Sequence, residues 1–77
     1  MPKRTYAIVL EPQEEGGYTV TVPALPEVVT EGDTEAEAIA MAREAINLAI
    51  DHRRSIGIEI PSGTGPVLRE VAIEATA

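Results

Sequence analysis

The start of a helix at Thr34 is the sequence feature that most constrains the fold. Thr34 and Glu37 have the spacing of a capping box, in which each residue's side chain accepts a hydrogen bond from the other's backbone amide. Asp33 and Glu35 add negative charge at the positive end of the helix dipole, and Arg53 adds positive charge at the other end. The sequence therefore predicts a helix from about Glu35 to Arg53.

The segments on either side of this helix have the pattern of a small antiparallel sheet. Apolar and β-branched residues predict a first strand over 5–11, and strict alternation predicts a second over 18–22, with Tyr18, Val20 and Val22 towards the core. The glycines between these two strands indicate a hairpin turn. A third strand over 28–31 and a last strand over 67–74 complete the predicted order β-β-β-α-β. This is an α+β fold, with one helix packed on a mainly antiparallel sheet of three to four strands.

Length and charge exclude several classes of protein. We expect 77 residues to form a single domain over 1–77, and a chain this short gains stability from self-association. A net charge of -7 argues against direct binding of nucleic acid, because the phosphate-neutralising surface is missing. The absence of cysteine excludes a disulfide framework, a thiol nucleophile and a cysteine zinc site. No apolar run reaches the length of a signal peptide core or a membrane span, so we expect a cytoplasmic protein.

The predicted helix carries two apolar stripes. The first contains Ile39, Ala42, Ile46 and Ile50, and we expect it to pack on the sheet. The second recurs at spacings of three and four, and its members are Ala38, Met41, Ala45, Leu48 and His52. Together the two stripes form an apolar arc around the helix that is wider than the face one sheet covers. Either the sheet curls around the helix and buries both, or the second stripe meets another subunit or a partner protein.

The residue types that support catalysis do not form a convincing site. Acidic residues around the helix start suggest a magnesium-dependent nuclease, and they are Glu31, Asp33, Glu35 and Glu37. Helix-dipole stabilisation explains most of them, and Glu70 is the only distant acid in the interior of a predicted strand. His52 has no nucleophile and orienting group to complete a triad, and the loop over 62–66 lacks the lysine of a phosphate-binding loop. We therefore expect no enzyme, no catalytic residues, no cofactor and no metal.

Three short motifs in a fixed order resemble the HicB antitoxin family, over about residues 5–51. The family typically has P-x-L-P-G before T-x-G-D-T-x-x-E-A, and this chain has VPALP over 22–26 and TEGDTEAEA over 30–38. The second motif contains Gly32, Asp33, Thr34 and Glu37. Glu27 stands where the family usually has glycine after the second proline.

The resemblance implies a partial ribonuclease-H-like fold without catalytic carboxylates. It also implies binding of a small basic ribonuclease toxin of the HicA type and self-association as a dimer or tetramer. Many HicB antitoxins carry an additional DNA-binding domain, which the three residues after the predicted last strand cannot form. Operator binding is therefore not expected of this chain.

Two functions from different classes remain open at this point. The first is a non-catalytic module of a toxin-antitoxin system that neutralises a basic ribonuclease. The second is a stand-alone, homo-oligomeric structural or regulatory domain without a toxin, and a metal-dependent nuclease is a weak third alternative. A neighbouring reading frame that encodes a small basic protein with one catalytic-type histidine would favour the first.

Overall fold

Three antiparallel strands and one helix form the regular structure of the chain in a computed structural model, which describes residues 4–62 and 69–75. The strands β1, β2 and β3 and the helix α1 comprise Val9–Pro12, Tyr18–Thr21, Val29–Gly32 and Glu35–Ile56. The strands are ordered β1-β2-β3 in one sheet, and both pairings are antiparallel. The prediction of an α+β fold with a helix on an antiparallel sheet is confirmed.

The hairpin between β1 and β2 forms where the glycines predict it. Gln13 and Gly17 close the turn through a hydrogen bond from the Gln13 amide to the Gly17 carbonyl at 3.0 Å. Gly16 and Gly17 have φ of 100° and 82°, the left-handed region that glycine enters without steric cost. The predicted hairpin is confirmed.

β1 is shorter than the predicted strand over 5–11. Its pairing with β2 starts at Val9, opposite Thr21, and β2 ends there because Pro23 lies two residues further along. Proline has no amide hydrogen for a ladder, so residues 5–8 continue the chain without a partner strand among the described residues. Their side chains still contribute to the core, since Tyr6 and Ile8 pack against it.

The helix ends three residues later than predicted. Gly57 follows Ile56 with a left-handed φ of 75°, and its amide donates to the carbonyls of Arg53 and Arg54. The amide of Ile58 also donates to the Arg53 carbonyl, at 2.9 Å. Together these bonds satisfy the carbonyls of Arg53 and Arg54 and explain the end of the helix.

The core lies between the sheet and one face of α1. The buried residues form two clusters, one of Val20, Ala38 and Ala42 and the other of Val22, Leu25, Val28 and Ile50. The predicted inward orientation of Val20 and Val22 is confirmed. The assignment of Ile39 to the sheet-facing stripe is wrong, because its side chain is exposed, and the small residue Ala38 faces the sheet in its place.

The prediction of a last strand over 67–74 is also wrong for the residues that the structure describes. Residues 69–75 contain no strand, and Val71 and Ile73 are 82% and 83% exposed. Residues 67 and 68, and most of the predicted loop over 62–66, lie outside the described residues. The alternation of residues is suitable for a strand, but a strand needs a neighbouring strand, and β1, β2 and β3 pair only with one another.

In the part of the chain that the structure describes, residues 4–62 and 69–75, no helix combines the length and the hydropathy of a membrane span.

Candidate protein-binding surface

The start of α1 is fixed by Thr34. Its backbone is extended, with φ of -125° and ψ of 164°, and its Oγ1 accepts a hydrogen bond from the Glu37 amide at 3.1 Å. The Thr34 carbonyl accepts the first helical bond from Ala38, at 2.8 Å. Within residues 4–62 the Glu37 carboxylate does not return a bond to the Thr34 amide. One half of the predicted capping box is therefore present, and Glu37 remains exposed.

Gly32 makes the junction between β3 and the helix possible. A Cβ atom at this position would lie 2.6 Å from the Ala38 Cα and 2.9 Å from the Glu37 carbonyl carbon. Real Cβ atoms do not approach backbone so closely, so any other residue would push the helix away from the sheet. Ala38 is completely buried at this contact. The glycine-containing motif thus holds the first turn of α1 against the end of the sheet.

The structure divides the second predicted stripe between the core and the surface. Ala38 lies in the core, and Ala45 is half-buried against the cluster around Val22. Met41 and Leu48 are 39% and 63% exposed, and His52 is also exposed. The sheet therefore does not cover the large apolar members of this stripe, and the surface available to a partner is smaller than the stripe predicted from the sequence.

Acidic residues run beside Met41 and Leu48. Glu37, Glu44 and Asp51 are exposed and lie three or four residues from the apolar pair, so they occupy adjacent positions on the helix surface. We call these five residues the outer helix stripe. Asp51 Oδ1 lies 3.7 Å from Arg54 Nη1 in an exposed ion pair. The outer helix stripe therefore combines exposed apolar area with negative charge.

Arg53 joins three parts of the chain at the far end of the helix. Its Nε and Nη2 donate to Glu27 Oε2 and Oε1 at 2.7 and 2.8 Å, and its Nη1 donates to the Glu59 carbonyl at 3.1 Å. The hydrogen bonds from Arg53 to its carboxylate lower the pKa of Glu27 to about 2. The loop before β3, the helix and the segment after the helix are thereby held together.

Sequence reasoning missed this ion pair. Glu27 and Arg53 are 26 residues apart, and no local spacing rule applies to such a distance. The only signal was that Glu27 departs from the glycine of the family pattern. Glu27, which stands at the position of that glycine, is the residue whose carboxylate Arg53 binds.

The residues considered for catalysis do not converge. Among the described residues, no group of three or more histidine and acidic side chains could hold a metal ion. Ser55 Oγ donates to the His52 carbonyl at 2.7 Å, which is a hydrogen bond of the helix end. Neither arrangement provides a nucleophile with a base.

Comparison with known proteins assigns the chain to a family. Residues 6–72 match the family described as the HicB_like antitoxin of bacterial toxin-antitoxin system. The chain belongs to the HicB-like antitoxin family. The family is one of antitoxins, and membership indicates a non-catalytic protein, as the sequence predicts.

Relatives of two lengths share this HicB-like sequence. The chain is 45% identical over 62 residues to antitoxin HicB 1 of Photorhabdus laumondii, and 44% identical over 46 residues to antitoxin HicB of Escherichia coli K12. These matches cover 80% and 60% of this chain, and the chain spans only 39% and 33% of those relatives. A UPF0150 protein of Thermoplasma acidophilum is 38% identical over 56 residues, which cover 73% of this chain and 81% of that protein. The HicB-like region thus occurs in short proteins as well as long ones.

Proposed function

We propose that this chain is the non-catalytic antitoxin module of a type II toxin-antitoxin system and that it binds and neutralises a small basic ribonuclease of the HicA type. The observation that carries the proposal is the HicB-like match over residues 6–72. The relatives named antitoxin HicB, at 44–45% identity, support it. Because the toxin acts on mRNA, the proposed location is the cytoplasm.

The outer helix stripe is the surface proposed to bind the toxin. Met41 and Leu48 supply exposed apolar area, and an apolar group buried at the centre of an interface contributes most to affinity. Glu37, Glu44 and Asp51 attract the basic surface of a ribonuclease, and a net charge of -7 adds long-range attraction. The residues that position this surface are Gly32 and Thr34, through the start of the helix.

The fold suits an antitoxin that has lost catalysis. Three antiparallel strands followed by a helix support the proposed relation to a partial ribonuclease-H-like fold. The acidic residues at the helix start then stabilise the positive end of the helix dipole and do not form a metal site. The single domain over residues 1–77 is proposed to be sufficient for binding.

Co-expression with the small basic protein encoded beside this gene tests the proposal. We expect a stable complex on size-exclusion chromatography with light scattering, and rescue of cells that express the basic protein alone. Leu48→Glu is expected to abolish complex formation and rescue while the chain stays folded, since this side chain is 63% exposed. Unfolding of the variant would place Leu48 in the core and contradict the choice of surface.

Val29→Glu is a matched control for Leu48→Glu. Val29 is 64% exposed and pairs with exposed Thr21, on the sheet face opposite the buried Val20. Both variants add one negative charge at a similarly exposed apolar residue. Equal loss of binding by both would show that the stripe has no special part in it.

The second candidate is a stand-alone homo-oligomeric domain with a structural or regulatory role. The exposed Met41 and Leu48 favour it equally, because two copies can bury them against each other. A homo-oligomer that binds no neighbouring gene product, and that Leu48→Glu disperses, would support this candidate over the antitoxin.

A further inference from the structure

A groove with an apolar floor and a basic rim lies between α1 and the chain that leads into β1. Its volume is about 470 Å³, and Ile8, Ile46 and Ile50 line it. Three arginines and one acidic residue form its rim, and they are Arg4, Arg43, Arg54 and Asp51. Its local charge is therefore positive in a protein with a net charge of -7. An acidic, partly apolar segment has the complementary chemistry.

The backbone beside this groove is available for pairing. β1 is an edge strand of the sheet, and residues 5–8 precede it without a partner strand among the described residues. An unpaired edge of this kind presents free amides and carbonyls to any extended segment that reaches it. The edge and the groove adjoin, so a segment that pairs with the edge also places alternate side chains over the groove.

Residues 69–75 of this chain have a complementary pattern, in which Glu70 and Glu74 outnumber the one positive side chain, Arg69. Val71 and Ile73 alternate with Glu70 and Glu74, and the two apolar side chains are 82% and 83% exposed. An extended segment of this length spans about 23 Å, the same as residues 5–11. The radius of gyration of 15.1 Å exceeds the roughly 11–12 Å of a compact domain of this size, which agrees with a segment extending away from the body.

We infer that residues 69–75 of a second copy pair with the edge at residues 5–11 and cover the groove, and that the two copies exchange these segments reciprocally. Val71 and Ile73 then lie over the apolar floor, and Glu70 and Glu74 lie near the arginines of the rim. The exchange is a two-fold arrangement, in which each edge receives the other copy's segment. The groove rim shares Asp51 with the outer helix stripe, but Met41, Glu44 and Leu48 do not line the groove, so the exchange leaves these three residues uncovered.

Two hydrogen bonds hold the chain at Pro61 beside the residues that lead into β1. The Pro61 carbonyl accepts hydrogen bonds from Tyr6 Oη at 2.8 Å and from Arg4 Nη1 at 3.4 Å. These bonds fix the chain beside the start of the edge, and Val71 and Ile73 are exposed beyond it. Among the described residues, none of 69–75 lines the groove of its own chain. A segment from a second copy would both pair with the free edge of β1 and cover the groove.

Engineered cysteines give the direct test, since the chain has none of its own. One variant carries Ala7→Cys beside the edge, and another carries Ala72→Cys in the exposed segment. Their mixture, treated with a short bis-maleimide, is expected to give a covalent dimer that contains one chain of each kind. Each variant alone, and a mixture with Glu14→Cys in place of Ala72→Cys, serves as the control. The absence of the mixed dimer would overturn the inference.

The double variant Ala7→Cys/Ala72→Cys separates exchange from folding back. Exchange predicts covalent dimers, whereas a crosslink within one chain, identified by mass spectrometry of proteolytic peptides, would show that the segment covers its own groove. That outcome would overturn the assignment to a second copy.

A pair of substitutions tests the energetic role of the segment. Val71→Glu/Ile73→Glu is expected to raise the dimer dissociation constant roughly tenfold or more, because both apolar contacts are lost. The monomer should stay folded, since both side chains are exposed in it. Val29→Glu is the control on a different surface. An unchanged dissociation constant for the double variant would contradict the exchange.

Discussion

Arg53, near the end of α1, donates two hydrogen bonds of 2.7 and 2.8 Å to the carboxylate of Glu27, in the loop that precedes β3. The parallel arrangement of two donors and two acceptors is the geometry that favours arginine over lysine. Arg53 is also mostly covered, with 19% of its side chain exposed. This pair connects the proline-rich loop to the helix that carries the outer helix stripe.

The ion pair predicts a specific pH dependence of stability. The pKa of Glu27 falls from 4.5 to about 2 in the folded state. Ionised Glu27 therefore stabilises the fold fully above pH 4.5, and this contribution is lost as the pH falls from 4.5 to about 2. We expect Glu27→Gln to lower the free energy of unfolding at neutral pH, with the difference from the wild type disappearing near pH 2, as measured by urea unfolding across pH.

Glu59→Gln is the control for this measurement. Arg53 donates to the backbone carbonyl of Glu59, and the substitution keeps that carbonyl. The change in the free energy of unfolding caused by Glu59→Gln should not vary with pH in the way expected for Glu27→Gln. A Glu27→Gln difference that stays constant down to pH 2 would show that the carboxylate charge does not provide the stabilisation.

Gly32→Ala is predicted to destabilise the fold by about 1–3 kcal/mol, the usual cost of overpacking. The added Cβ would press on the backbone of Ala38 and Glu37, which cannot move without shifting the helix. Thermal or urea unfolding measures the change. Gly57 provides the contrast, since it has a left-handed φ of 75° and open space around its Cβ position. Asparagine should be better tolerated than alanine at Gly57, whereas at Gly32 the larger side chain should be worse.

Thr34→Ala is predicted to cost about 1 kcal/mol of stability, because the Glu37 amide loses the hydroxyl that caps it. Thr34→Ser retains the hydroxyl and should stay within a few tenths of a kcal/mol of the wild type. Both values come from urea unfolding monitored by circular dichroism at 222 nm. Equal stability of the serine and alanine variants would mean that the hydroxyl bond contributes nothing to the helix start.

Local rules predicted the parts of the fold that depend on local interactions. The Thr34 cap and the hairpin at Gly16 and Gly17 form over a few residues, and both appear where the sequence indicates. The face of the helix that meets the sheet was harder to predict. Apolar size favours Ile39, but the close approach fixed by Gly32 leaves room only for the methyl group of Ala38.

Sequence patterns did not predict the contacts between residues that are far apart in the chain. The alternation over 69–75 is that of a strand, yet a strand exists only where a second edge is available, and the pattern does not supply one. The partnership of Glu27 with Arg53 likewise depends on where the loop and the helix end meet in space. For the candidate surface, spacing placed Ala38, Met41 and Leu48 on one stripe but left open whether the sheet covers that stripe. It could not separate the exposed Met41 and Leu48 from the buried Ala38.

The electrostatic part of the proposed toxin contact can be tested separately from its apolar part. Glu44→Lys reverses one charge within the outer helix stripe, and Glu14→Lys makes the same change of net charge in the exposed hairpin turn. Charges near an interface mainly change the association rate and its dependence on salt. We therefore expect Glu44→Lys to slow association with the basic partner severalfold at low salt, with a much smaller effect of Glu14→Lys. Surface plasmon resonance at two ionic strengths measures both rates, and the difference between the variants should shrink at high salt. Equal slowing by the two substitutions would mean that the partner responds to the net charge of the whole protein and not to the outer helix stripe.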